Sequence, residues 1–578
     1  MVAFIVPILA TSEEEEDRDA LKPLHDPLRL ATYTPISPAD VIVFREGEYA
    51  VAVDGKTKEV ISRSTDHSTV LQAAINHVAS KGYGKVLVKT GVYELSDTVT
   101  ISNDYIDVVG EGRWKTIFRS AGASPLFRIA GTSTSDRVMY IRLSDFTIQG
   151  QGKTFEGIEA KYVTFLFLEE IEWMGVFGTC LRLYEIWGVR TKNLFFFHCG
   201  AGTETYVVEI LKSDTDKTTA GTHIGWRMEA MYANGVKIDG CVNQKFIGCE
   251  WHTNSMDDNP YRAVDIVNGS VEIEIADGMF GAGSGTFIYI SGSNDIRIVG
   301  NRFGTEKTVN MIHVTGGSKR VIIAYNTFGT YYRVLTPVKG IAIYSDSDSD
   351  ELVVIGNTAI GDRTPGSRFI ETYGKARIIG NLVKDFEKGI FTRFFAEIIG
   401  NYVEGCGLDG IEAKAGGGGV VIGNFLINNG QTGEGAGIRI TGNQHTVIGN
   451  VCRDNQATPT QDYGIYEGIY ADENVIVGNR VREYAVAAIY RRGANTIVRY
   501  NLGYRTENSG VATLAAGDTR VTVNHGLVAK PSKVLITPLG QPPGKLWVDE
   551  ASITDTSFDI VTDTAPSADL HVAWYAEV

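Results

Sequence analysis

Residues 378–413 read IIGNLVKDFEKGIFTRFFAEIIGNYVEGCGLDGIEA and contain the tetrapeptide Ile-Ile-Gly-Asn twice, with its asparagine at positions 381 and 401. Each copy is followed by the dipeptide Gly-Ile, first at Gly389 and then at Gly410. A single tetrapeptide carries little information, but two copies with the same second motif behind them indicate an internal repeat.

The repeat extends through the middle and the C-terminal half of the chain. The intervals between successive asparagines run from 20 to 31 residues, and β-branched residues precede most of them. Irregular intervals around a constant motif are typical of a solenoid whose turns carry loops of different length. The asparagines are Asn301, Asn326, Asn357, Asn381, Asn401, Asn424, Asn450, Asn479 and Asn501.

Each copy predicts a short buried strand that ends in a corner. Gly and Asn both tolerate a positive φ, so they can turn the chain there, and asparagines at the same corner can stack into a hydrogen-bonded ladder. A second strand follows in the form Gly-Ile-x-Ile or close to it, for example GVKI at Gly235 and GIRI at Gly437. Two strands and a turn per repeat predict an all-β fold, a right-handed parallel β-helix. Leucine-rich repeats are disfavoured because no LxxLxL frame recurs.

Composition restricts the class of function. The chain has 578 residues, too many for one compact core, and its 65 glycines suit a turn-rich solenoid. A net charge of −15 argues against nucleic acid as a partner. The six cysteines form no Cys-x-x-Cys pair, so they are predicted to be buried free thiols rather than disulfides.

The N-terminal decapeptide MVAFIVPILA is apolar but is not predicted to be a normal signal peptide or a membrane span. It is short, it lacks a basic segment in front, and it runs directly into TSEEEEDRDA. No other apolar stretch is long enough to cross a membrane. Secretion by another route, or release by cell lysis, is compatible with this sequence.

The chain is predicted to have three parts. Residues 1–45 form a polar, partly disordered leader. Residues 46–505 form the β-helix, and the amphipathic helix STVLQAAINHVASKG, residues 68–82, seals its first coil. Residues 510–578 alternate apolar and polar positions between Gly and Pro turns, which predicts a small antiparallel β-sandwich.

The segment KVLVKTGVYELSDTVTI, residues 85–101, together with the helix before it, resembles the N-terminal cap and first coil of the pectate-lyase-like (pectin lyase superfamily) β-helix proteins. The family turn reads PxGxY; here it is KTGVY, with Lys89 in place of the proline. The asparagine coils extend the resemblance to Tyr504. The fold that this resemblance implies is the one that the repeat predicts.

The resemblance implies a protein that acts on a polysaccharide, since the superfamily contains pectate lyases, polygalacturonases, epimerases, phage depolymerases and non-catalytic adhesins. The C-terminal segment resembles lectin-like or trimerising modules at the ends of viral tail-spike-type proteins. These resemblances imply a polysaccharide partner, a location outside the cell or on a virion, and a homotrimer, in which the site could lie between subunits.

The x residue of each Gly-Ile-x-Ile strand is predicted to point outward, because the isoleucines on either side pack inward. Successive turns stack about 4.8 Å apart, so the x residues form one continuous outward row. The predicted row is Glu209, Lys237, Asp265, Tyr289, His313, Ala342, Glu371, Phe391, Glu412, Arg439, Tyr470 and Tyr490.

Asp265 and Asp239 are the predicted catalytic residues, on adjacent turns and on a diagonal. Glycoside hydrolysis uses such a pair: one carboxyl protonates the leaving oxygen, and the other activates water or attacks. Lys237 beside Asp265 is predicted to keep that carboxylate ionised. His313 is predicted to position the substrate or to shuttle protons.

Other residues are predicted to bind the substrate. Tyr289 would line a sugar subsite with the face of its ring. The long segment CEWHTNSMDDNPYR, residues 249–262, would form a wall over the groove. The predicted substrate-binding set is Tyr289, Trp251, His252, Asp258, Arg302 and Glu371. No metal site is predicted: SDSDSDE at residues 345–351 lacks the glycine and the final glutamate of a calcium loop.

Two alternatives stay open. A polysaccharide lyase or uronate epimerase needs a base and a charge neutraliser, which Lys237, Tyr289, His313 and Arg302 could supply, and it could need a divalent cation such as calcium. A hydrolase needs no cofactor. A fibre or adhesin would bind glycan along the same row without turnover.

Overall fold

The computed structural model describes residues 39–213, 216–252, 260–283, 285–305, 307, 309–331, 334–414 and 418–578. Residues 1–38, most of the predicted leader, lie outside the described residues, and so does the predicted groove residue Asp258. The first described strand, Val41–Glu46, belongs to an antiparallel meander with Tyr49–Asp54 and Val60–Ser64.

The described chain forms a parallel β-helix of about 16 turns, which confirms the predicted fold class. Each full turn contributes three strands, not the predicted two, and each strand pairs in parallel with its equivalent one turn on. The additional strand is the short segment directly after the Gly-Asn corner, for example Leu382–Lys384. Sequence alternation missed it because three residues are too few to show a period.

The three sheets are numbered in their order within one turn, starting from the strand that carries the Gly-Ile-x-Ile motif. Three long strands bend around corners and serve more than one sheet: Val138–Lys153, Ile158–Val176 and Leu181–Lys192. The other strands of sheet 1 are Val99–Ile101, Phe127–Ala130, Gly202–Leu211, Ala233–Asp239, Val264–Val267, Ile288–Ser291, Asn310–Thr315, Ile341–Ser345, Arg368–Thr372, Lys388–Thr392, Ile411–Ala413, Ala436–Ile440, Tyr463–Glu467 and Ala487–Tyr490.

Sheet 2 ends at the Gly-Asn corner, and sheet 3 begins after it. Sheet 2 contains Gly84–Val88, Ile106–Val109, Thr219–Ile224, Val242–Ile247, Val271–Ala276, Arg297–Val299, Ile322–Ala324, Leu352–Ile355, Ala376–Ile379, Ala396–Ile399, Val420–Ile422, Thr446–Ile448, Val475–Val477 and Ile497–Arg499. Sheet 3 contains Gly91–Leu95, Thr116–Ser120, Phe195–Phe197, Arg227–Glu229, Glu250–His252, Met279–Gly281, Arg302–Gly304, Thr327–Phe328, Thr358–Ile360, Leu382–Lys384, Tyr402–Glu404, Phe425–Ile427, Val451–Arg453 and Arg480–Arg482. A hairpin of Thr330–Tyr331 and Val334–Leu335 stands apart from the three sheets.

The predicted asparagine ladder is present at the corner between sheets 2 and 3. Asn401 Nδ2 donates to Asn424 Oδ1 at 3.0 Å, and Asn381 Nδ2 donates to Asn401 Oδ1 at 2.9 Å. The same bond joins every consecutive pair from Asn301 to Asn501. All of these amides are buried, so the ladder supplies partners that water cannot.

The interior is filled by aliphatic side chains and by stacked aromatic rings. Trp251, Phe280, Phe303 and Phe328 stack one above another with centroid distances of 4.4, 4.8 and 4.9 Å. All six cysteines are buried free thiols, as predicted. In the part of the chain that the structure describes, none of the helices is long and apolar enough to cross a membrane.

A helix precedes the coils of the solenoid, and two small antiparallel sheets follow them. The helix His67–Ser80 confirms the predicted cap: the Asp66 side chain accepts a hydrogen bond from the Ser68 N–H, and Val70, Leu71 and Val78 are buried. At the other end, one sheet contains Glu507–Leu514, Lys533–Pro538 and Leu570–Glu577, and a second contains Arg520–Asn524, Leu546–Asp549 and Ser557–Thr562, with a short 3₁₀ helix at Glu550–Ser552. Side chains from both sheets share one core, as the predicted sandwich requires.

Replacing Asn401 by Ala is expected to loosen the ladder locally. The change removes the side-chain hydrogen bond to the Ile378 carbonyl and leaves the buried backbone N–H of Asn381 without its side-chain acceptor, and a buried group without a partner costs about 1–3 kcal/mol. Hydrogen-exchange mass spectrometry should show faster amide exchange in residues 376–427. The control is Asn455→Ala, since Asn455 is exposed. Equal exchange in the two variants would contradict a stabilising ladder.

Candidate active site

Sheet 1 carries the predicted outward row. Parallel pairing places Lys237 opposite Asp265, Asp265 opposite Tyr289, and Tyr289 opposite His313, each pair one turn apart. The spacing between turns is about 4.8 Å. Four of the predicted catalytic and binding residues therefore lie on one line along the surface.

Two members of the predicted row are wrong, and tyrosines take both positions. Ala342 is buried, and Tyr344 pairs with His313 because the inward and outward alternation is broken at Ala342 and Ile343, which are both buried. Tyr470 lies beyond the strand Tyr463–Glu467 and is 84% exposed. The earlier of two closely spaced Gly-Ile-Tyr copies supplies Tyr466 to the row instead.

Asp265 is buried although it lies on the outward row, with only 2% of its surface exposed. Tyr206 Oη donates a hydrogen bond to Asp265 Oδ2, and Arg262 Nη1 lies 3.2 Å from the same oxygen. Asp265 Oδ1 is buried and accepts no hydrogen bond from the described residues. One oxygen of the carboxyl is thus anchored, while the other has no partner within this set.

Burial raises the pKa of Asp265 above its ordinary value. The hydrogen bond from Tyr206 and the charges of Arg262 and Lys237 lower this pKa, but desolvation outweighs them. Lys237 thus acts in the predicted direction, towards the ionised carboxylate, but the net effect of the surroundings is a raised pKa. A carboxyl with a raised pKa keeps its proton to a higher pH, as a general acid must.

Lys237 lies next to both predicted catalytic carboxyls: it is ion-paired with Asp239, and it stands opposite Asp265 on the next turn. Its Nζ lies 2.9 Å from Asp239 Oδ2 on the same strand, and Asn268 Nδ2 lies 3.0 Å from both oxygens of Asp239. Because Lys237 pairs in register with Asp265, Asp239 and Asp265 lie on adjacent turns and on a diagonal. The Asp239 carboxylate thus contacts Lys237 and Asn268. The Asp265 carboxyl contacts Tyr206 and Arg262 and is buried.

Aromatic rings extend the row beyond Asp265. Arg262 Cζ lies 4.6 Å from the centroid of the Tyr289 ring, and the Tyr289 and His313 rings meet edge to face at 5.3 Å. The His313 ring in turn meets Tyr344 at 4.9 Å, and its Nε2 lies 3.3 Å from Asp346 Oδ2. Half-buried rings along one line offer faces on which a sugar can stack.

The other predicted binding residues do not join this group. Trp251 is fully buried in the aromatic stack and is a core residue, not a groove wall. His252, whose Nε2 lies 3.1 Å from Glu250 Oε2, and Arg302 lie on sheet 3. Glu371 is on sheet 1 but is buried, ion-paired with Arg368, and accepts a hydrogen bond from Tyr373 Oη at 2.9 Å.

Sequence reasoning missed Tyr206 and Arg262. Tyr206 reaches Asp265 because the register of strand Gly202–Leu211 shifts between Gly202 and Tyr206, which no alternation rule predicts. Arg262 stands three residues before Asp265, at the end of the long segment that was interpreted as a wall. The only available signal was a cation three residues before a carboxylate of the row.

Two carboxylates of the acidic stretch at residues 345–351 contact separate basic side chains. Asp346 contacts His313, and Asp350 Oδ2 lies 3.7 Å from Lys375 Nζ. Within the described ranges, no group of three or more His, Cys, Asp or Glu side chains is arranged to hold a metal ion.

Comparison with known proteins yields matches only among solved structures. No protein-family model matches the chain, and no curated protein sequence matches it. The ORF18 protein of Geobacillus virus E2 is 21% identical with a TM-score of 0.41, and the alignment covers 46% of this chain and 54% of that one. The chain thus spans about half the length of that viral protein.

Three further structures align over most of their own length. The tailspike protein gp49 of Pseudomonas phage LKA1 is 10% identical, with 88% of this chain and 93% of that one covered and a TM-score of 0.35. The tailspike of E. coli bacteriophage HK620, in complex with a pentasaccharide, is 12% identical, with 89% and 90% covered and a TM-score of 0.34. The A-module of mannuronan C-5 epimerase AlgE6 of Azotobacter vinelandii is 13% identical, with 76% and 95% covered and a TM-score of 0.22.

The chain is a parallel β-helix that resembles phage tailspikes and mannuronan C-5 epimerase A-modules. At these identities the similarity describes the fold alone. The chemistry of this β-helix has to be argued from its own side chains.

Replacing Asp265 by Asn is expected to change the pH dependence of stability. The raised pKa of Asp265 means that its contribution is fully present below the unfolded value, about 3.9, and is lost as pH rises through the folded value. The variant, neutral at every pH, should therefore gain thermal stability relative to the parent as pH rises from 4 to 7.

Asp295→Asn is the control of opposite sign. Hydrogen bonds from Arg320 lower the pKa of Asp295, so its stabilising contribution is present at pH 7 and is lost on acidification. Thermal midpoints of both variants and the parent at several pH values measure the two trends. Parallel trends in the two variants would contradict the assignment for Asp265.

Proposed function

We propose that this β-helix cleaves glycosidic bonds of a polysaccharide on sheet 1 by carboxylate-based hydrolysis. Asp265 acts as the general acid and gives its proton to the leaving oxygen. Asp239, one turn away, is the second carboxylate and either activates the attacking water or attacks the sugar itself. Tyr289 and His313 provide the adjoining surface for the sugar chain.

The observation that carries the proposal is the state of Asp265. Its carboxyl is buried, its pKa is raised by desolvation, and Oδ1 has no partner among the described residues. In a structural ion pair both oxygens of a buried carboxylate are satisfied, whereas a general acid keeps one oxygen without a protein partner. The Arg262 guanidinium contacts this carboxyl, and about a third of the Arg262 side chain is exposed to solvent.

Proton abstraction by a lyase or epimerase is less well supported. Burial and the hydrogen bond to Asp265 raise the pKa of Tyr206, so this hydroxyl is held in its protonated form and is a poor base. Lys237 is ion-paired with Asp239 rather than free. The groups around Asp265 therefore favour protonation of a leaving group over removal of a proton.

Asp265→Asn is expected to lower the release of reducing ends by at least about 100-fold, the usual contribution of a general acid. The assay incubates the purified chain with a panel of neutral and uronate-containing polysaccharides and reads reducing ends and unsaturated-uronate absorbance. The matched control is Glu172→Gln, because Glu172 is likewise buried with a pKa raised by desolvation but lies outside sheet 1.

The outcomes separate the three functions. Reducing ends without unsaturation, lost in the Asp265 variant and kept in the Glu172 variant, support the hydrolase. Unsaturated products point to a lyase acting through Lys237, Tyr289 or His313. Glycan binding without turnover on any polymer of the panel points to an adhesin.

The proposal includes a homotrimer that works outside the cell or on a virion, with residues 510–578 as its lectin-like or trimerising module. A row of aliphatic side chains runs along sheet 2, one per turn, and all of them except the buried Ala324 are at least partly exposed. Exposed aliphatic rows of this length are rare on isolated chains. The row consists of Ile224, Ile247, Ala276, Val299, Ala324, Ile355, Ile379, Ile399, Ile422, Ile448 and Val477. In a three-fold arrangement the straight row of each copy would meet the same rows of the two other copies.

The double variant Ile399→Lys/Ile422→Lys is expected to dissociate the trimer, because two charges would be buried against apolar side chains. Sedimentation equilibrium measures the mass of the parent and of the variant. Ile469→Lys, at a position that is 67% exposed and off the row, is the control. A monomeric parent chain would overturn this part of the proposal.

A further inference from the structure

A cluster of cations surrounds Phe391, farther along the outward row of sheet 1. Four positive groups lie near the ring centroid: Arg368 Cζ at 4.5 Å, Arg393 Cζ at 5.3 Å, Lys388 Nζ at 5.7 Å and Lys414 Nζ at 5.9 Å. Phe391 is buried beneath them. This concentration of positive charge stands on a chain whose net charge is −15.

Part of this charge is neutralised by buried carboxylates. Arg368 is ion-paired with Glu371, and Lys388 with Glu412. Asp409, next to Lys388, accepts a hydrogen bond from Arg439 Nε at 2.8 Å. Three cations are thus matched by three carboxylates, and all three carboxylates are buried.

Arg393 and Lys414 are the two cations left over. They occupy equivalent positions on adjacent turns, directly after strands Lys388–Thr392 and Ile411–Ala413, and both are exposed. Within the described part of the chain, neither makes an ion pair, and the contacts recorded for them are with rings. Two adjacent positive charges repel each other, so the pair is stabilised by any anion that bridges it.

The guanidinium of Arg393 is held in place before any ligand arrives. It lies 4.6 Å from the Tyr373 centroid and 5.3 Å from the Phe391 centroid. The hydroxyl of Tyr373 is in turn fixed by its hydrogen bond to Glu371. Stacking uses the faces of a guanidinium and leaves its N–H edges free, and these edges match the two oxygens of a carboxylate.

We infer that Arg393 and Lys414 form an anion-binding subsite, and that its ligand is a carboxylate-bearing sugar of the polysaccharide. Arg393 supplies the paired donors, and Lys414 supplies a second positive charge one turn on. A neutral sugar would leave both exposed cations without an ionic partner, whereas a sugar carboxylate offsets one of the two positive charges and bridges the pair.

Arg393 lies five turns from Asp265 along sheet 1 and Lys414 lies six, which is about 24–29 Å at the sheet spacing of a β-helix. The subsite therefore holds a sugar remote from the bond that is cleaved. Its assignment to a polysaccharide ligand rests on the proposed function. Binding needs no turnover, so a failure of cleavage and a failure of this subsite are distinguishable.

The test measures affinity of the full-length chain for immobilised polysaccharides at low salt, in the Asp265→Asn background so that nothing is cleaved. The polymers are polygalacturonate and alginate, which carry carboxylates, sulfated dextran, which carries another anion, and neutral dextran. The double variant Arg393→Ala/Lys414→Ala is compared with Arg297→Ala/Lys375→Ala, which removes the same charge from exposed positions of sheet 2.

Affinity for polygalacturonate or alginate is expected to fall by about tenfold or more in the Arg393/Lys414 variant and to stay within about twofold in the control. Neutral dextran should be unaffected by both. Equal losses in the two variants, or no preference of the parent for carboxylate polymers over dextran, would overturn the subsite. Tighter binding of sulfated dextran than of both uronate polymers would overturn the carboxylate assignment. Lys414→Ala alone, at an exposed position, keeps the test decisive if the double variant fails to fold.

Discussion

The asparagine ladder is the interaction on which the rest of the solenoid depends. Each amide connects three turns: Asn401 Nδ2 donates to Ile378 O on the turn before and to Asn424 Oδ1 on the turn after. A buried amide or backbone group without a partner costs about 1–3 kcal/mol. A shift of one turn relative to the next would break several of these bonds together, so the ladder holds the turns from Asn301 to Asn501 in register.

Because successive turns are in register, the strands of sheet 1 form a continuous surface although the loops between them are unrelated in sequence. In its first turns the row is a series of matched charges, with Arg128 Nε 2.9 Å from Glu159 Oε1 and Arg182 Nε 2.6 Å from Glu209 Oε2. The pattern changes at Asp265, whose carboxyl is buried with one oxygen unpartnered, and again near Phe391, where cations exceed carboxylates. These two departures from simple pairing are where chemistry and ligand binding are proposed.

Much of the fold and part of the site were predictable. The ladder, the capping helix, the buried thiols and the line from Lys237 to His313 follow from motif and alternation. Other residues were misplaced for identifiable reasons. Trp251 was assigned to a wall because the long segment around it gives no alternation that shows which side chains point inward. Tyr470 was chosen over Tyr466 because two Gly-Ile-Tyr copies stand four residues apart.

The sequence by itself determined the parallel β-helix and the outward direction of Asp265, because a recurring Gly-Asn corner and a period of two are local properties of the chain. Only the tertiary structure decided that Asp265 is buried, that Tyr206 and Arg262 contact it, and that its pKa is raised. Desolvation depends on which side chains from other turns close over a group. Those neighbours come from loops and register shifts of variable length, which no local pattern encodes.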